Sequence, residues 1–61
     1  MKPGDFYRTK DGKVYQIREQ LHELLFLAEE MECIEDGEEY LPTGNTTYVT
    51  AWELERYTER L

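Results

Sequence analysis

Between Lys13 and Ile34 the chain contains no Gly, Pro, Asn or Asp. So long a segment without a breaker is either one amphipathic helix or extended strand, and the choice decides the whole fold. On a helical wheel Leu21, Leu24, Leu25, Ala28 and Met31 recur at i, i+3, i+4, i+7 and i+10, with Glu19, Glu23 and Glu30 opposite. Two details oppose that helix. Phe26 would turn to the polar side, and no Ser, Thr, Asp or Asn stands near Arg18 to cap the first turn. Read as a strand, Leu25, Leu27, Met31 and Cys33 share one face and Glu30 and Glu32 take the other, with Glu29 out of place.

The flanks are punctuated more clearly. Phe6-Tyr7-Arg8 and Lys13-Val14-Tyr15-Gln16-Ile17-Arg18 surround an Asp11-Gly12 turn signal, and aromatic and β-branched residues on both sides of Asp-Gly predict a β-hairpin. Glu35-Asp36-Gly37-Glu38 is a second turn signal and Leu41-Pro42-Thr43-Gly44-Asn45 a third. Glu39-Tyr40-Leu41 and Thr46-Thr47-Tyr48-Val49 read as short strands. Thr50-Ala51-Trp52-Glu53 fits a capping box, which predicts a closing helix from Ala51 to Arg60. Its buried stripe is expected to be Leu54, Tyr57 and Leu61, leaving Trp52 partly outside beside Arg56.

The two ends together resemble the small SH3-like β-barrel proteins of bacteriophages and prophages. The resemblance rests on Gly4-Asp5-Phe6-Tyr7, on Asp11-Gly12-Lys13-Val14-Tyr15-Gln16-Ile17, and on Thr46 through Tyr57, roughly half the chain. It implies a Gly-Asp entry, a Gly-containing turn, an aromatic and β-branched second strand, and a short helix ending in an aromatic. It also implies that Leu24 to Glu32 forms the third strand. The expected fold is therefore mainly β, a small SH3-like barrel or twisted antiparallel sheet with a C-terminal α-helix. The alternative is α+β, with residues 18–33 helical.

Sixty-one residues make one small domain, a size at which stability is marginal without a metal, a disulfide or a partner subunit, so a homo-oligomer, with a dimer favoured, is expected. Cys33 is the only cysteine and His22 the only histidine, which rules out an intrachain disulfide and a zinc ligand set. No apolar run approaches the roughly 18 residues of a membrane span, and the N-terminus lacks the apolar stretch of a secretory signal. A cytoplasmic protein is the expectation, in the host cytoplasm if phage-encoded.

The net charge of −7 is segregated along the chain. Residues 1–18 carry five basic side chains against two acids, whereas Glu19 to Glu55 holds eleven acids and no Lys or Arg. Such a field repels nucleic acid and membrane and attracts basic partners, with an attraction that weakens in salt. Solubilising charge alone accounts for part of this asymmetry.

Candidate chemistry is sparse. A Cys33–His22 pair would need its members adjacent in space to act as nucleophile and base, and a lone surface histidine with a lone small cysteine is the commoner arrangement. The acids of residues 35–39 lack the ligand spacing of a calcium loop, and solvated turn charge is the better account of them. No phosphate cradle or hydrolase triad is present. No enzyme activity, metal or cofactor is expected.

The leading functional expectation is a small acidic phage-like accessory protein that binds and inhibits or redirects a host protein with a basic surface, a defence or nucleic-acid-handling factor included. Its partner-binding residues would be Glu29, Glu30, Glu32, Glu35, Asp36, Glu38 and Glu39 with Phe26 and Trp52. The alternative is a nucleic-acid-associated SH3-like module using Arg8, Lys10, Lys13 and Arg18 with the rings of Tyr7 and Tyr15.

Overall fold

The computed structural model describes residues 1–34 and 39–61. The breaker-free segment is extended, forming β2 (Val14–His22) and β3 (Leu25–Ile34). With β1 (Phe6–Thr9), β4 (Glu39–Thr50) and β5 (Thr58–Arg60), they build one five-stranded antiparallel sheet in the order β4-β3-β2-β1-β5, joined by the short helix α1 (Ala51–Tyr57). Helix over residues 18–33 is thereby excluded. The reason is Phe26, which a helix would turn to solvent and the strand instead buries to 3% exposure.

The first hairpin closes as its turn residues dictate. Gly12 takes φ +89°, the Gly12 N–H donates to the Thr9 carbonyl at 3.0 Å and the Thr9 N–H to the Lys13 carbonyl at 2.8 Å. The β2–β3 connection has no such residue. It is the two-residue turn Glu23-Leu24, between His22 and its partner Leu25, after two register irregularities in β2. Bulges of this kind raise the local twist, which brings the strand ends together without a glycine.

Burial does not follow the face expected for β3. The core consists of Tyr7, Ile17, Phe26, Ala28, Val49 and Leu54, so near the helix the even-numbered residues of β3 point inward, and Leu25 and Leu27 are only half-buried. By Met31 the buried side has changed. Val14 and Met31 are cross-strand partners, as are Ile17 and Ala28, and the two pairs are offset by three positions on each strand. Strict alternation places them on opposite faces of the sheet.

Beyond Met31, β3 pairs only with β4, so the ends of these strands form an arm. At its root β4 runs from Pro42 to Thr46 while β3 runs from Glu29 to Met31, which puts three β4 residues opposite one. The bend from this irregularity lets Tyr40 reach Phe6 across two intervening strands, with ring centroids 5.6 Å apart, on the side where Val14 and Met31 are buried.

The capping box is present in full: the Glu53 N–H donates to Thr50 Oγ1 at 3.1 Å, and the Thr50 N–H donates to Glu53 Oε1 at 3.2 Å. The helix is shorter than its sequence suggests. It ends at Tyr57, Thr58 is extended at φ −131°, and Thr58 to Arg60 pair with Thr9 to Tyr7. The open edge of β1 supplies backbone partners that a frayed last turn lacks. Of the expected stripe only Leu54 is buried, while Tyr57 and Leu61 are 47% and 48% exposed. Among the described residues, no helix is long and apolar enough to cross a membrane.

Candidate functional site

Strand alternation divides the carboxylates that sequence had grouped. Glu29 is half-buried and ion-paired, its Oε1 lying 2.8 Å from Arg18 Nη2, so it faces its own protein and not a partner. Glu30, Glu32 and, through its pairing with Ile34, Glu39 share the other side of the arm. This is the side away from Tyr40 and Phe6, hence the convex one. Leu41 pairs with Glu32 on the same side and is 51% exposed. The result is an apolar anchor bordered by acids, none of which is ion-paired among the described residues. Glu35, Asp36 and Glu38 lie outside the described residues.

Two expected members leave this surface. Phe26 belongs to the core, because the even-numbered face of β3 lies against Ile17, Val49 and Leu54. Trp52 is 52% exposed but stands on α1, at the far end of the twelve residues of β4 from Glu39. Its ring carries the Arg56 guanidinium at 5.1 Å and meets the Tyr57 ring edge-on at 5.4 Å.

The basic residues of the first hairpin do not assemble either. Arg8 shares its side with Val14, whereas Lys13 falls on the opposite face, Arg18 is held by Glu29, and Lys10 Nζ sits 5.4 Å from the Tyr57 centroid. Tyr7 is 1% exposed and stacks on Tyr15 at 5.3 Å, so it offers no face to a base. His22 closes the β2–β3 turn and Cys33 lies in the arm, eight residues along β3 from the partner of His22. At about 3.3 Å per residue they are far beyond hydrogen-bond reach.

What sequence reasoning missed is a groove of about 380 Å³ between the first hairpin turn, the helix-proximal end of β4 and the junction of α1 with β5. Four tyrosines, Tyr7, Tyr15, Tyr48 and Tyr57, line it together with Glu53, Asp11 and Lys10. Their positions in sequence carry no common period, because three different strands and the helix bring them together. Only the curl of the sheet makes them neighbours. Burial pushes the Tyr7 hydroxyl well above the usual tyrosine range, reinforced by Tyr15 and by the charge of Glu53. The Thr9 hydroxyl, donating to the Asp11 carboxylate, holds that acid below its usual range, with further help from Lys13.

The raised Tyr7 group makes the fold alkali-sensitive with a definite sign. The neutral hydroxyl is favoured in the folded state, so the stabilisation is complete below the unfolded-chain value of about 10 and is lost as pH rises above it. Urea midpoints taken from pH 8 to 11 should fall steeply above pH 10, and Tyr7→Phe should flatten that fall. An unchanged slope in the variant would assign the alkaline loss to other groups.

Comparison with protein-family models, with curated proteins and with solved structures finds no match for this chain.

Proposed function

We propose that the chain is a small acidic accessory protein that binds the basic surface of a host protein through its own negatively charged surface and so inhibits or redirects it. The observation that carries this is the convex side of the arm, where exposed Leu41 is bordered by Glu30, Glu32 and Glu39. An apolar centre excludes water, and a rim of one charge sign selects a partner of the other and speeds encounter. The net charge of −7 extends that attraction beyond contact distance. The phage attribution follows from the resemblance of the two ends of the chain to phage SH3-like barrels. The return of β5 to β1 after a short helix supports the barrel part of that resemblance.

Paired affinity captures test it, with wild type and Glu30/Glu32/Glu39→Lys as baits for one host lysate. The variant moves the net charge from −7 to −1 at exposed or half-exposed sites that the core does not use. Basic proteins retained by wild type should be released by raising salt to about 0.5 M and lost from the variant by about ten-fold or more. Recovery of the same proteins by both baits would remove the arm as the binding surface.

A further inference from the structure

The tyrosine-lined groove is a second surface, at the other end of β4 from the arm. We propose that it receives an arginine side chain presented on an extended segment of another protein. Among its lining rings Tyr57 presents a face, and ring faces attract cations. The chain itself demonstrates this, since its own Lys10 ammonium lies 5.4 Å from the Tyr57 centroid at the mouth of the groove. Two carboxylates, those of Glu53 and Asp11, line the groove with that single cation. Glu53 is fixed in place by the capping box, in which both Thr50 contacts use Oε1, so Oε2 remains for an incoming N–H. Asp11 stands on the hairpin turn opposite.

Arginine suits this arrangement better than other occupants. A planar guanidinium stacks on a tyrosine ring while its edge N–H groups address a carboxylate, which a compact ammonium cannot do at once. An anionic ligand would meet Glu53 and Asp11. A volume of about 380 Å³ is near the lower end of ligand sites, enough for one long side chain and some flanking backbone. Lys10 then acts as an internal competitor, and that fixes the sign of its substitution.

Titration of the isotopically labelled full chain with an acetylated, amidated Gly-Ser-Arg-Ser-Gly peptide, followed by NMR and by Trp52 fluorescence, tests the assignment. Saturable shifts should centre on Tyr48, Glu53 and Tyr57, and the same peptide with citrulline for arginine should bind about ten-fold more weakly. Lys10→Met should tighten binding about three-fold by removing the competitor. Glu53→Gln should weaken it about five-fold while the helix persists, because glutamine also closes a capping box. Tyr48→Ala, at a side chain 67% exposed, should weaken it with the fold intact. Equal affinity for the citrulline peptide, shifts confined to the arm, or loss of binding in Lys10→Met would each overturn the proposal. Glu30 is the cross-strand partner of Tyr15 and so borders the groove, whereas Glu39 pairs with Ile34, four residues farther along β3. Glu39→Lys should therefore leave the groove affinity within about two-fold, and because the citrulline comparison does not involve the arm, failure here and failure of the arm are separate results.

Discussion

Replacing Phe26 with alanine removes most of the protein's stability at 25 °C. Phe26 is 3% exposed and sits among Tyr7, Ile17, Ala28, Val49 and Leu54, a core with no second layer to collapse into the space. Removing a buried phenylalanine ring costs about 3–5 kcal/mol. A domain of this size holds a stability near the lower end of the usual range of about 5–15 kcal/mol, so the loss is comparable to the whole. Leu24→Ala is the control. It also removes a large apolar side chain, but at a turn position 63% exposed, and should change stability by about 0.5 kcal/mol or less. Urea unfolding followed by far-ultraviolet circular dichroism separates the two. Near-equal midpoints would mean that the even-numbered face of β3 is not the buried one.

Ending the chain after Tyr57 is the second change with a large effect. If residues 58–60 continued the helix, their removal would trim a fraying turn at little cost. In the sheet they do more. They form three cross-strand pairs with β1, Leu61 donates its N–H to the Phe6 carbonyl at 3.1 Å, and the Thr58 hydroxyl satisfies the Leu54 carbonyl at the end of α1. Their loss also bares the outer edge of β1. At about 1 kcal/mol per hydrogen bond, truncation should cost about 2–4 kcal/mol, visible as a lower urea midpoint and as concentration-dependent aggregation. A shortened chain as stable as the full one would restore the longer helix.

The parts of the fold legible in the sequence are those governed by short-range chemistry. Asp11-Gly12 specifies the first hairpin because glycine alone takes its backbone angle comfortably, and Thr50 with Glu53 specifies the helix start because each satisfies the other's backbone N–H. Over Leu25 to Ile34 the strand pattern is readable but the inward face is not. Alternation states only that odd and even residues separate, and which set is buried depends on where α1 and the curled arm press on the sheet. A helical wheel places Tyr57 on a buried stripe, yet the helix stops there and the residue lines the groove instead. The split of Glu29 from Glu30 and Glu32 follows from the same alternation, once the segment is known to be strand.

The outer margin of β4 sets a limit on how neighbouring chains can add to this sheet. Pro42 contributes no N–H, Gly44 sits at φ +92°, and the irregularity they belong to breaks the strand into two short lengths. The length next to the helix, Asn45 to Thr50, is uncharged and rich in threonine. A guest strand laid along this side therefore finds about six residues of continuous ladder before the direction changes. That is room for one recognition segment, but an uncharged, β-prone six-residue stretch without proline is also long enough for cross-β stacking, so this margin is the part of the molecule that needs covering.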